Sequence, residues 1–141
     1  MKRISITTFK ILLVLLGAFG IFMSIDFSVG GFRTLGWQGT TDFLTILDEI
    51  RYGIQDNHFR FLSGMLGALS LFMIFALTNL KKYQHTLNFI FALIFIGGLM
   101  RFTSGDFEIL FGTEIGVALI AEIMVMPLLY LWLAWVVKTS E

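Results

Sequence analysis

The sequence predicts an all-α membrane protein: a four-transmembrane-helix bundle with an amphipathic helix in its first outer loop. Three observations carry that expectation. Of 141 residues, 57% are apolar and only 14% charged, too little polar surface to clothe a soluble domain. Four apolar stretches lie near residues 8–25, 61–80, 83–102 and 115–137, each close to the length of about 20 residues that crosses a hydrocarbon core of roughly 30 Å. Inside lipid every backbone amide needs a partner within its own segment, which selects helices over an open sheet.

A single proline and the absence of any Ser/Gly/Pro-rich or highly charged tract leave no linker and no repeat, so residues 1–141 read as one membrane domain. The first span follows Lys2 and Arg3 and shares the outline of a secretory signal peptide, with Ala18 and Gly20 as a small-residue cleavage site. Its apolar core runs on through Ile21, Phe22 and Met23, which favours a retained span. The lysines fall at one end of the spans: Lys2 and Lys10 before or early in the first, Lys81 and Lys82 between the second and third, Lys138 after the fourth. By the positive-inside rule that end is cytoplasmic, which implies a bacterial inner membrane with both termini inside. Tyr83, Tyr130, Trp132 and Trp135 lie near the same boundary, where amphipathic rings favour the interface. The opposite loops carry Asp42, Asp48, Glu49, Asp56, Asp106, Glu108 and Glu114, with arginine as their basic residue.

Between the first two spans, residues 42–54 place Phe43, Leu47, Ile50 and Ile54 at helical spacing, with Asp48, Glu49 and Arg51 elsewhere around the turn. Thr41 or Asp42 is suited to cap such a helix, which is expected as a lid on the membrane surface or over the bundle mouth, with a partner-docking helix as the alternative.

Charged residues within or beside spans are costly and are functional candidates by default. Asp26 ends the first span, Arg60 opens the second, Arg101 closes the third, and Glu122 lies about two turns, roughly 10 Å, inside the fourth. Arg60 shares a helix face with Ser63, Gly64 and Gly67, Arg101 with Gly97 and Gly98, and Glu122 with Ala118. Small residues mark close helix approach, so these charges are expected to turn inward, Glu122 pairing with Arg101, Arg60 or both. Asp26 lacks such small neighbours and is the weaker member. Pro127 deprives the Ile123 carbonyl of its helical donor and predicts a kink beside Glu122. Two readings stand: a salt bridge that only holds helices in register, or a pocket for the anionic or carbonyl head of a lipid, quinone or similar amphiphile.

Other chemistry is excluded or weak. Zero formal net charge argues against nucleic acid as a partner. With no cysteine, thiol chemistry and thiolate metal sites are absent. His58 and His85 fall at opposite ends of their spans and cannot ligate one metal or haem, so neither a metal site nor a cofactor is expected. No phosphate-binding glycine loop, serine elbow or zinc helix motif occurs, and no catalytic residue is assigned.

The run NHFRFLSGMLGALSLF at Asn57–Phe72, Arg101, and AEIMVMPLLYL at Ala121–Leu131 resemble the bacterial membrane family catalogued as domain of unknown function 4345. The resemblance covers most of the chain. It implies four membrane helices, with an arginine followed by small residues opening the second, an arginine ending the third, and a glutamate ahead of a proline in the fourth. Arg60 with Gly64, Arg101, and Glu122 with Pro127 match. Leu62, Ser63 and Gly64 depart from a more glycine-rich step. The family is similar in size and helix count to the DoxX-like proteins, which suggests a comparable bundle by analogy. It implies no reaction.

Two classes of function follow. The first is non-catalytic: an accessory subunit or an amphiphile binder, with membrane lipids as partners and other membrane subunits or self-association as further candidates. The second is a membrane enzyme acting on an amphiphile, with Glu122 as acid or base.

Overall fold

The structure, a computed structural model, describes residues 2–34, 45–113 and 115–139, and among these there are helices and turns but no strand. Four helices are long and apolar enough to cross a membrane: Ser5–Arg33, Glu49–Thr78, Gln84–Ser104 and Gly116–Lys138. The chain is a multi-pass membrane protein of all-α class. The chain forms two compact units, Lys10–Phe75 and Met1–Phe9 with Ala76–Glu141.

The unit Lys10–Phe75 pairs α1 (Lys2–Thr34, from Lys10 onward) with α2 (Glu49–Phe75). The helices run antiparallel and nearly touch: Gly17 lies against Ile74 and the Ser70 carbonyl, and Gly20 against the Ser70 side chain. Further along, Gly67 backs onto Ser24, whose hydroxyl donates to the Ser63 carbonyl at 2.6 Å. Where lipid is as apolar as leucine, such small-residue contacts and interhelical hydrogen bonds drive association. Ser63 and Gly67 therefore belong to the seam. Gly64, expected beside them, does not: a Cβ there would meet nothing within 4 Å among the described residues. It is one residue off the stripe formed by Ser63, Gly67 and Ser70.

The start of α2 differs from expectation. Asp48 is its cap, its Oδ1 accepting from the amides of Ile50 (3.1 Å) and Arg51 (3.0 Å). Residues 45–48 are not helical, and Glu49–Ile54 form the first turns of α2 and not a separate surface helix. No proline or turn dipeptide between Ile54 and Phe61 breaks the helix, so once capped it runs straight into the span. Thr41, Asp42 and Phe43 lie outside the described residues.

The other unit is built on α3 (Gln84–Met100) and α6 (Met126–Thr139). Leu87, Ile90 and Phe91 of α3 and Leu129, Leu133 and Val136 of α6 are at most 2% exposed, recurring at the three- and four-residue spacing of one helix face. The first residues of the chain join this unit: Trp132 donates to the Ser5 hydroxyl at 2.9 Å, and its ring meets Phe9 edge-on at 5.4 Å. Between α3 and α6 come a tight turn (Arg101–Ser104), the one-turn α4 (Phe107–Leu110) and α5 (Gly116–Ile120), which continues into α6 through a π-turn at Ala121–Val125.

Candidate functional site

Among the described residues, each unit holds an ion pair built around an arginine that the sequence marks, Arg60 in one and Arg101 in the other. In the unit Lys10–Phe75 the starting point is Gly31, with φ 71° and ψ −166°, a conformation essentially reserved for glycine. The backbone of α1 departs from helical angles there. The Phe32 amide that follows donates to Asp56 Oδ1 at 2.7 Å. Arg60 reaches the same stretch: its Nη1 donates to the Ser28 carbonyl and, at 3.4 Å, to that of Val29, while its Nε donates to Asp56 Oδ2 at 2.6 Å. The carbonyl end of a helix carries partial negative charge and lacks donors, so a guanidinium satisfies it on both counts. Arg60 thus finds its carboxylate one turn back on its own helix, and the pair acts as a cap for α1.

Asp56, expected above only as an acid of the outer loops, is the partner of Arg60. Its spacing of four from Arg60, with the acid first, was the available signal. Asp26 lies in the same unit and is only 2% exposed.

In the other unit the site grows from α3 and the π-turn. Pro127 has no amide proton and its ring crowds the Ile123 carbonyl. The expected kink takes the form of a wide turn, in which the Met126 amide reaches back five residues to the Ala121 carbonyl. Glu122 sits inside this turn. Gly98 of α3 provides the space for it: a Cβ at Gly98 would lie 2.7 Å from Glu122 Cβ. Gly97, expected to share this role, faces open space among the described residues. Arg101, one residue past α3, meets Glu122 with two parallel bonds, Nε to Oε2 at 2.6 Å and Nη2 to Oε1 at 2.7 Å. This fork-on-fork geometry is the strong form of a carboxylate–guanidinium pair. The Glu122 side chain is 19% exposed and that of Arg101 38%, so the pair is partly buried and its arginine end stays accessible. Ala118 is half-buried one turn before Glu122.

Beside Arg101 opens a cavity of about 250 Å³ lined by Arg101, Ser104, Asp106, Ile109, Leu110 and Ile115. Both Glu122 oxygens are occupied by Arg101, whereas Arg101 Nη1 makes no hydrogen bond among the described residues. Arg101, which lines the cavity, therefore keeps one donor unused among the described residues. Elsewhere in this unit, Phe91 and Phe95 of α3 and Pro127 and Tyr130 of α6 border an apolar groove of about 310 Å³. Among the described residues no cluster of three or more His, Asp or Glu side chains has the arrangement of a metal site. His58 and His85 are both exposed.

Comparison with curated proteins and with solved structures finds no match. A family model does match, over residues 8–133, a stretch that includes both ion pairs and most of each membrane-length helix. The chain therefore belongs to the family described as Domain of unknown function (DUF4345).

Proposed function

We propose that the protein is a non-catalytic membrane protein that binds the polar head of a lipid or quinone-like amphiphile at Arg101. One observation carries this reading: Glu122 holds the guanidinium by Nε and Nη2, leaving Nη1 for a ligand in the adjoining cavity. A carboxylate that fixes an arginine in this way orients a binding group without using it up. The same geometry weighs against Glu122 as an acid or base, because a proton acceptor needs a lone pair directed at substrate and both of its oxygens face Arg101.

The lysine distribution supports an inner-membrane setting with both termini cytoplasmic, which puts the Arg101 cavity in the outer leaflet. An amphiphile then enters from lipid, with its chain along the apolar side and its head at Arg101. The test is the lipid that co-purifies with detergent-solubilised protein, quantified by mass spectrometry for wild type, Arg101→Gln and Glu122→Gln. Loss of a specific lipid from Arg101→Gln is the expected result. Unchanged lipid content together with lower thermal stability in both variants would mean that the pair is only a structural lock.

A further inference from the structure

The cavity next to Arg101 is also lined by Asp106. Its formal charges do not favour a purely anionic ligand. Arg101 is already matched by Glu122, so with Asp106 the site carries one net negative charge. Ser104 is committed to the loop: its hydroxyl donates to the Arg101 carbonyl at 3.0 Å and accepts from the Asp106 amide at 3.4 Å. Asp106 Oδ1 accepts from the Ile109 amide at 3.1 Å, while Oδ2 makes no hydrogen bond among the described residues. The residues around the cavity thus include one guanidinium and one carboxylate, each with an atom that makes no hydrogen bond among the described residues, beside Ile109, Leu110 and Ile115.

Resting on the amphiphile-binding reading above, we infer that the ligand head is zwitterionic and of the phosphoethanolamine class. Its phosphate accepts from Arg101 Nη1, and its primary ammonium donates to Asp106 Oδ2. The isoleucine and leucine side chains cover the adjoining carbon chain. A phosphoglycerol head would satisfy Arg101 but leave Asp106 facing an anion, and like charges brought together repel.

The chemistry is shared by a phospholipid head and by its soluble counterpart, so the experiment has three probes. The full chain in detergent is titrated with short-chain phosphatidylethanolamine, with phosphatidylglycerol of the same acyl length, and with glycerophosphoethanolamine as a competitor. Wild type is expected to prefer the ethanolamine lipid by about tenfold, the equivalent of about 1.4 kcal/mol. Asp106→Asn is expected to bring that ratio close to one while retaining phosphatidylglycerol binding. Asparagine caps a helix as well as aspartate does, so α4 keeps its start and the change is confined to charge. Displacement by glycerophosphoethanolamine supports the head chemistry with a soluble source; binding of the lipid alone supports it with a membrane source.

Equal affinity for the two lipids, or a preference for phosphatidylglycerol, in wild type overturns the zwitterion inference and leaves amphiphile binding standing. A wild-type preference that Asp106→Asn leaves intact removes Asp106 from the site. Failure of folded wild type to bind either lipid saturably overturns both readings.

Discussion

At the scale of single residues, two glycines decide where charge sits. Gly31 turns the end of α1 so that its carbonyls meet Arg60 and its Phe32 amide meets Asp56. Gly31→Ala combines a backbone conformation that alanine resists with a Cβ driven into the Asp56 carboxylate and the Arg60 guanidinium. The expected loss is about 1–3 kcal/mol, read as a lower unfolding temperature in detergent. The adjacent pair Gly97 and Gly98 gives an internally controlled comparison. Gly98→Ala pushes against Glu122 and Ile123 and is expected to cost about 1–3 kcal/mol. Gly97→Ala meets open space and gains helix propensity, so neutrality or a stabilisation of up to about 1 kcal/mol is expected. Equal effects of the two substitutions would remove Gly98 from its place behind Glu122. Both glycines were candidates in the sequence because helical periodicity fixes a face only to within a residue or so. Which of two neighbours touches the other helix depends on rotation about the axis, and that is set by packing.

At the scale of elements, the fourth span joins a proline, a π-turn and a partly buried acid. An extra residue in one turn rotates everything before it by about 100° relative to the rest of the helix, at 3.6 residues per turn. Glu122 thereby keeps its aim at Arg101 while Leu129, Leu133 and Val136 keep theirs at α3. Pro127→Ala restores an amide donor and lets a regular helix compete. Coupling between Arg101 and Glu122, taken from a double-mutant cycle of Arg101→Gln and Glu122→Gln on thermal stability, is expected at about 1–3 kcal/mol in the native background. It is expected to fall in the Pro127→Ala background. Coupling that persists undiminished would mean that the proline does not set the direction of Glu122. The sequence made the proline and the acid legible, and even a distortion between them. It did not distinguish a kink from a wide turn, because that choice depends on which carbonyl the Met126 amide reaches. The amphipathic pattern over 42–54 carries a similar lesson. Periodicity registers a helical face but not a helix start, and Asp48, with its side chain on two free amides, places that start.

For the whole molecule, the lack of cysteine makes topology directly measurable. Single cysteines placed at His58 and at Glu108 are expected to react with a membrane-impermeant maleimide in intact cells. Cysteines at Lys82 and Lys138 are expected to react only after the membrane is opened. Labelling of Lys82→Cys from outside would reverse the orientation and move the Arg101 cavity to the inner leaflet. In one unit the charged pair serves the carbonyls at a helix end and in the other it sits beside a widened turn, and in both small residues allow close helix approach.

The sequence by itself determined the class of protein, the number of membrane-length helices and the charges worth following. These depend on composition and on runs of twenty apolar residues, which lipid reads locally, one segment at a time. Tertiary structure chose among the partners that the sequence allowed. Arg60 found Asp56 and the end of α1, Arg101 found Glu122 by two bonds, and Asp106 came to line the same cavity as Arg101. A carboxylate and a guanidinium attract in any pairing, so the choice among them is made by helix rotation, a left-handed glycine and a proline-widened turn. These are properties of packed helices that no single segment encodes.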